Sequence, residues 1–135
     1  PDAMSKQVNT RFLKETFASS KKAVKEVLMD QDLIRGLGNA YTDEILYHAR
    51  ISPFSVANKI PDTHIKVLAS SIKKVLKDGI KQILKHDKHL ISGEYRDFMK
   101  VHNAKKEESP GGSAIQKHKV GSRKTYYTDE QELFS

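Results

Sequence analysis

The sequence contains no cysteine among its 135 residues. Disulfide bonds are therefore excluded, and so are zinc or iron–sulfur centres held by cysteine thiolates. No apolar run approaches the roughly 18 residues that a membrane span requires, and no signal-peptide pattern opens the chain. There is no tryptophan, and only 37% of the residues are hydrophobic. These absences predict a polar, cytoplasmic protein without a membrane partner.

Basic residues are what the sequence has in excess. Lysine and arginine together number 24, against 17 aspartates and glutamates, so the formal net charge is +7. Such a charge favours a polyanionic partner, with nucleic acid ahead of an anionic membrane. The alternative is a basic domain that is merely soluble. The length suits one domain with a modest core, or a helical domain with an appendage.

Apolar residues at helical spacing predict a mainly α protein. The predicted helical segments are one after Ser5; Lys21 to Met29, capped by Ser19 or Ser20; Asn39 to Arg50; a short turn from Ser52-Pro53; and a long helix from Pro61-Asp62, with Asp62 as its candidate cap. Serine and aspartate are favoured caps, and proline is favoured at the first helical position.

The predicted helices are amphipathic. In the second helix the inner face is Val24, Val27 and Leu28, and Lys21, Lys22 and Lys25 lie largely elsewhere. In the third helix the inner face is Ile45, Leu46 and Ala49. The long helix has an apolar face of Ile65, Leu68, Ala69, Ile72, Val75, Leu76, Ile80 and Ile83, and a roughly opposite face of Lys66, Lys73, Lys74, Lys77, Lys81 and Lys85. A lysine face of this kind is ordinarily a solvated surface.

The pattern changes after the long helix. Residues 93–112 have the composition of a linker, with the run Glu107 to Gly112 rich in charge, proline and glycine. Segments 114–120 and 124–128 alternate in polarity and predict a β-hairpin with Arg123 at its basic tip. The predicted division is a helical domain over 1–92, a linker over 93–112 and the hairpin over 113–135. Because an isolated hairpin is marginal in water, it must dock on the helices or on a partner.

Two glycines, Gly36 and Gly38, precede the third helix in tight turns. Glycines in this position can aim several backbone N–H groups outward, and the positive end of the helix adds to the attraction for an anion. The spacing alone allows either a phosphate site or an ordinary tight corner.

Three segments of the chain resemble one protein family. They are Met29-Asp30-Gln31 followed by Ile34-x-Gly36-x-Gly38-Asn39-x-Tyr41-x-x-Glu44-Ile45-Leu46 and Ala49-x-Ile51-x-Pro53; Val120-Gly121-x-Arg123-x-Thr125-Tyr126-Tyr127; and Pro1-Asp2-Ala3-Met4-Ser5. The first resembles the helix-two-turn-helix of formamidopyrimidine-DNA glycosylase and endonuclease VIII. The second resembles the C-terminal finger of that family, and the third resembles the segment after its catalytic domain.

The resemblance implies the DNA-binding C-terminal part of a base-excision-repair DNA glycosylase and AP lyase that acts on oxidised bases. Phosphates around the flipped nucleotide would be held by Lys25, Asn39, Arg123 and the N–H groups around Gly38. Tyr41 and Glu44 match family positions and are predicted to be structural. The implied partners are damaged double-stranded DNA and the missing N-terminal catalytic domain. A monomer is expected, associated with the nucleoid when bound to DNA.

The chain departs from the family in its finger, which usually holds zinc through two Cys-x-x-Cys pairs. Glu108 to Gly111 and Thr128 to Gln131 stand where those pairs would fall. We therefore expect a zincless finger with no cofactor, in which packing replaces the metal through Ile115, Val120, Tyr126 and Phe134. His86 and His89 are three residues apart, but no third ligand is evident, so exposed histidines are expected there.

A second departure concerns catalysis. The family nucleophile is an N-terminal proline followed by a glutamate, whereas Asp2 follows Pro1 here. Pro1 is therefore interpreted as a cut point within a linker, and no catalytic residue is assigned to the chain. The alternative function is a non-enzymatic RNA-binding module, because a ribosomal small-subunit protein uses a similar helix-two-turn-helix with glycine turns.

Overall fold

The computed structural model describes residues 1–86 and 99–135. Its elements in chain order are α1 (Thr10–Ala18), α2 (Val24–Leu28), α3 (Asn39–Ala49), a 3-10 helix (Ala57–Lys59), α4 (Asp62–His86), β1 (Gln116–Val120) and β2 (Arg123–Tyr127). The predicted class, a mainly α domain with a C-terminal β-hairpin, is confirmed. None of the helices in these two described ranges combines the length and the hydropathy of a membrane span.

The first helix begins later than the sequence predicted. α1 starts at Thr10 because Asn9 is its cap, and the Asn9 side chain accepts a hydrogen bond from Phe12 N at 2.9 Å. This satisfies one of the N–H groups that a helix start leaves open. Ser5 precedes the helix at a distance and does not cap it.

The second helix is also shorter than predicted and begins at Val24, not at Lys21. Val24 N donates to Ser55 O at 2.7 Å, so this part of the chain is tied to the loop before the 3-10 helix. The predicted cap forms a local turn instead, in which the Ser20 hydroxyl oxygen accepts from Lys22 N at 3.3 Å. Among the residues that the structure describes, no side chain caps α2.

The two predicted starts around proline are corrected as well. Ser52 and Pro53 open a turn closed by Ser55 N donating to Ser52 O at 3.1 Å, and the short helical piece follows only at Ala57. α4 begins at Asp62, which is therefore its first residue and not its cap. The aspartate still lies in the first turn, where its charge complements the helix dipole.

One hydrophobic core lies between α1, α3 and α4. The predicted inner residues of α2, α3 and the first half of α4 are buried in it: Val24, Val27, Leu28, Ile45, Leu46, Ala49, Ile65, Leu68, Ala69 and Ile72. Farther along α4 the helix leaves the core, so Val75 and Leu76 are only partly buried and Ile80 is 50% exposed. The Ile83 side chain lies outside the described residues.

The predicted lysine face of α4 is not uniformly solvated. Lys73 turns toward the first residues of the chain, and its ammonium donates to Ala3 O and Ser5 O. Burial lowers its pKa. The opening segment is thus packed on the domain, with Ala3 buried and Ala3 N donating to Arg35 O at 2.8 Å. The Lys85 side chain lies outside the described residues.

The predicted hairpin is present with different bounds: its turn is Gly121 and Ser122, and Arg123, predicted at the tip, is the first residue of β2 and pairs with Val120. Gly121 has φ +60°, which glycine adopts at no steric cost in such a turn. Val120 and Tyr126 are buried, whereas Ile115 and Phe134 are only half-buried.

The predicted linker is not a solvated segment throughout. Its residues 93–98 lie outside the described ranges. Of the described part, Val101, His102 and Asn103 are buried, because this segment packs beside α3. Composition alone could not separate this packed part from the exposed residues 104–108.

Candidate nucleic-acid interface

The turn before α3 is shaped by Gln31 and Gly36. Gly36 has φ +98°, a conformation that glycine adopts without strain. Its N–H donates to Gln31 Oε1 at 3.1 Å, and Gln31 Nε2 donates to Leu37 O at 3.1 Å. One side chain therefore bridges the double turn. The sequence motif contained Gln31 but did not reveal this role.

Gly38 is extended, with φ −90° and ψ 174°, so its backbone does not require glycine. A Cβ there would meet no described atom within 4 Å, which means that the space in front of it is open. Gly38 stands at the N-cap position of α3, and no side chain of the described residues caps this helix. The N–H groups of Asn39 and Ala40 at the start of α3 are therefore available to an anion at an open position.

Asn39 begins α3 and joins it to the hairpin. Its Nδ2 donates to Lys124 O at 3.0 Å. A side-chain amide carries two N–H donors, and this is the one bond that the amide makes to the described residues. Its Oδ1 is buried and has no hydrogen-bond partner among them. The second N–H is therefore free to reach a phosphate oxygen.

Arg123 is the first residue of β2 and the neighbour of Lys124, so it lies at the same end of α3 as Asn39. Its side chain is exposed, and its guanidinium forms no ion pair with any residue in the described ranges. An unpaired guanidinium suits the bidentate geometry of phosphate oxygens. The structure thus brings Asn39 and Arg123 together, although they lie far apart in the sequence.

Lys25 reaches the same junction. The sequence placed it largely away from the inner face of α2, and the structure buries it against the hairpin. The side chain is 1% exposed, and its Nζ lies 2.7 Å from both Asp43 Oδ1 and Thr125 Oγ1. It also donates to Lys124 O at 3.4 Å. Burial lowers the pKa of Lys25, against the opposing effect of Asp43. In this structure the ammonium holds the hairpin, and its contact with a phosphate stays a prediction.

Tyr41 and Glu44 contact protein groups. The Glu44 carboxylate accepts hydrogen bonds from the N–H groups of Val101 and His102, both at 2.8 Å, and from that of Lys100. Tyr41 packs so closely on α4 that a Cβ at Gly79 would lie 2.6 Å from its hydroxyl. The structural role of both residues stays a prediction, and these contacts are consistent with it.

Asp43 is the residue at this junction that sequence reasoning missed. Its side chain is fully buried and contacts Lys25 on α2, His102 in the segment after residue 98, and the Tyr126 N–H on β2. The sequence feature that could have identified Asp43 is its position four residues after Asn39, because this spacing places both residues on one side of α3. A charged residue on that side requires a partner, and Lys25 is the nearest cation.

The finger residues do not fit a zinc ion. The Glu130 carboxylate is occupied by hydrogen bonds from the hydroxyls of Ser109 and Tyr47, the second at 3.1 Å. Gln131 accepts from Thr128 N at 2.8 Å and donates to Ile51 O at 2.9 Å. Within the described ranges, no three histidine or carboxylate side chains come together as a metal would require.

The histidine pair considered from the sequence gives no further information, because His89 and the His86 side chain lie outside the described residues.

The Ser109 hydrogen bond, followed by those of Ser113 and Tyr47, lowers the pKa of Glu130. The carboxylate is thus held in its charged form by hydrogen-bond donors.

A helix pair joined by a double glycine turn, with a basic hairpin docked at the uncapped start of the second helix, defines a helix-two-turn-helix domain with a finger. The family model "Formamidopyrimidine-DNA glycosylase H2TH domain" matches residues 1–89. The chain belongs to the formamidopyrimidine-DNA glycosylase family.

Individual relatives extend the match over the hairpin. A formamidopyrimidine-DNA glycosylase of Prochlorococcus marinus is 35% identical over 133 residues, which make up 94% of this chain and 45% of that protein. An uncharacterized formamidopyrimidine-DNA glycosylase-like protein of Mycobacterium tuberculosis is 36% identical over 102 residues, 76% of this chain and 63% of that protein. The chain spans about half the length of most such relatives.

A solved structure shares the fold. The Lactococcus lactis formamidopyrimidine-DNA glycosylase, bound noncovalently to DNA that contains an AP site, matches with a TM-score of 0.82 and 30% identity. The match covers 98% of this chain and 49% of that one. It therefore includes both the helical part and the hairpin.

Proposed function

We propose that this chain binds damaged double-stranded DNA and holds the phosphates around a flipped nucleotide, as the DNA-binding C-terminal part of a base-excision-repair glycosylase and AP lyase. The observation that carries the proposal is the hydrogen bond from Asn39 Nδ2 to Lys124 O, at 3.0 Å. It sets the unpaired Arg123 beside the uncapped start of α3. A phosphate there would meet a helix N-terminus, an amide and a guanidinium together.

The lesion class is proposed from the relatives. The Lactococcus lactis enzyme has been solved with DNA containing an AP site and with DNA containing an oxidised pyrimidine, and a mutant of it with DNA containing Fapy-dG. We propose oxidised bases as the targets of the parent of this chain. Phosphate contacts position a protein without reading a base, so discrimination between lesions would lie mainly with other parts of the enzyme.

We assign no catalytic group to this chain and propose the N-terminal catalytic domain of the same parent as its partner. Asp2, not a glutamate, follows Pro1, and the Pro1 carbonyl accepts from Arg35 N at 2.9 Å. An RNA-binding helix-two-turn-helix module is the less favoured alternative, because relatives of the glycosylase family cover both the helices and the hairpin.

Two substitutions test the phosphate site. Arg123→Ala should weaken binding to a duplex containing a tetrahydrofuran abasic-site analogue by about tenfold, since a charge-assisted hydrogen bond is lost. It should also make the negative slope of log K against log salt shallower by about one, because one phosphate contact is lost. Asn39→Ala should also weaken binding, and it should reduce the magnitude of that slope by no more than Arg123→Ala does, because the amide is neutral and acts on the charge only through the position of Arg123.

The charge-matched control is Arg11→Ala, whose side chain is 89% exposed on α1 and pairs with Glu15. It should keep the affinity within about twofold. Fluorescence anisotropy at several salt concentrations gives both quantities, and structured RNA as a competitor tests the alternative. Unchanged affinity in both site variants would refute the phosphate site, and tighter binding of the RNA would refute the glycosylase assignment.

A further inference from the structure

The free edge of β2 lies against α3 through two polar side chains of the helix. Asn39 Nδ2 donates to Lys124 O at 3.0 Å, and Asp43 Oδ2 accepts from Tyr126 N at 3.0 Å. Lys124 and Tyr126 are two residues apart on the strand, so both groups point to the side away from β1. An edge strand otherwise leaves such groups unpaired. Asn39 and Asp43, four residues apart on α3, therefore fix both the position and the register of β2.

Asp43 makes the stronger of these two attachments. Its side chain is 0% exposed, and a buried carboxylate is stable only when it is paired and hydrogen-bonded. Lys25 Nζ lies 2.7 Å from Oδ1, and His102 Nδ1 lies 2.7 Å from Oδ2, which also accepts from Tyr126 N. Helix α2, the segment after residue 98 and the finger strand thus converge on one carboxylate.

The residues of β2 that these contacts hold lie next to Arg123 in the sequence. Lys25 contacts Thr125 Oγ1 at 2.7 Å, and Thr125 lies between Lys124 and Tyr126. Arg123 immediately precedes these residues at the start of β2. Its guanidinium is exposed and without an ion-pair partner in the described ranges. The position of its backbone therefore depends on how β2 is attached to α3.

We infer that Asp43 is a positioning residue of the DNA-binding site: it fixes β2 on α3, so that Arg123 and Asn39 grip the same phosphate. This inference rests on the proposed DNA binding and adds to it a residue that does not itself touch DNA. Without the Asp43 contact, Arg123 remains on the hairpin but loses its fixed distance from the start of α3. Removing the Arg123 side chain should then have little further effect.

The test is a double-substitution cycle of Asp43→Asn with Arg123→Ala, read as affinity for the tetrahydrofuran duplex. In the otherwise unchanged chain, Arg123→Ala should cost about tenfold in affinity. In the Asp43→Asn background it should cost less than about threefold, because the two residues act as a unit. The magnitude of the negative slope of log K against log salt should decrease by about one on Asp43→Asn alone, as it does on Arg123→Ala.

Glu44→Gln is the matched control, because it is the next residue of α3 and a buried carboxylate that accepts three backbone N–H groups outside the hairpin. In that background Arg123→Ala should still cost about tenfold. Equal costs of Arg123→Ala in the Asp43→Asn and the Glu44→Gln chains would overturn the inference.

Two further measurements keep the inference testable if Asp43→Asn folds poorly. The pair Lys25→Met with Asp43→Leu replaces a buried ion pair by apolar side chains of similar shape, a replacement that is often neutral for stability. In that background too, Arg123→Ala should change the affinity for the tetrahydrofuran duplex very little. A full tenfold loss of affinity there would contradict the inference.

Hydrogen exchange of the Tyr126 amide, measured without DNA, should be faster in the Asp43 variants and unchanged in Glu44→Gln. If the unchanged chain binds no DNA, the proposed function fails. If it binds DNA but the exchange rate and the affinities do not respond to Asp43, the positioning role fails.

Discussion

The buried pair of Lys25 and Asp43 gives the sharpest stability prediction. We consider Lys25→Met, which keeps most of the side-chain volume and removes the charge. The two charged atoms are 2.7 Å apart, and both side chains are fully buried, at 1% and 0% exposure. Water therefore does little to screen the charge that the substitution leaves behind.

The expected loss follows from the carboxylate that remains. Removing one partner of a buried ion pair costs about 3 to 5 kcal/mol, because the other charge is left without compensation. Asp43 would keep His102 and the Tyr126 N–H as partners, so we expect the lower end, about 3 kcal/mol. For a chain of this size that corresponds to a fall in Tm of roughly 10 °C.

Thermal and urea unfolding followed by circular dichroism measure the change in the free energy of unfolding. Lys22→Met is the matched control, because Lys22 is exposed just before α2, and it should change the stability by less than about 0.5 kcal/mol. Similar losses in the two variants, or a loss below about 1 kcal/mol for Lys25→Met, would refute the argument that Lys25 is a buried structural cation.

Two further predictions concern the finger and the double turn. Because hydrogen bonds lower the pKa of Glu130 below its ordinary value of 4.5, the stability that this carboxylate contributes is present above pH 4.5 and is lost as the pH falls through the lowered value. Melting curves recorded at several pH values should show this loss in the unchanged chain but not in Glu130→Gln. In a separate measurement, EDTA should leave the Tm unchanged, and an EDTA-sensitive Tm would contradict the zincless finger. Gly36→Ala should lower the free energy of unfolding by about 1 to 2 kcal/mol, because Gly36 has a positive φ. Gly38→Ala should leave the free energy of unfolding unchanged. It should bind the tetrahydrofuran duplex less tightly, since its Cβ would occupy the open space before α3. Equal effects of the two glycine substitutions on unfolding would contradict the distinction.

Much of the helical framework could be predicted from apolar spacing. The inner residues of α3 and of the first half of α4 are buried as expected, because a helix must turn its apolar face to the core. The helix starts were harder to predict. α2 begins three residues late because Val24 is bonded to Ser55, and Ile80 is exposed although it continues the apolar face. A periodic pattern records which side of a helix is apolar, but not where the rest of the chain stops covering it.

The phosphate contacts of Gly38, Asn39 and Arg123 stay predictions. The structure adds that Asn39 is hydrogen-bonded to Lys124, the neighbour of Arg123, and that Gly38 faces open space. The burial of Lys25 was not predicted, because its spacing placed it largely away from the apolar face of α2 and the hairpin that covers it comes from the far end of the chain. Asp43 was missed for the same reason, since its burial depends on Tyr126 and His102.

The family resemblance, the helical class, the hairpin and the lack of cysteine ligands in the finger could all be read from the sequence. These properties depend on residue types and on spacing within short stretches. Three features became visible only in the folded chain: Gly38 before α3 faces open space, Lys25 is buried, and Asp43 joins three segments. Each of these depends on contacts between residues distant in sequence. The double turn was visible as a motif, but its relation to the finger appears only when β2 docks on α3.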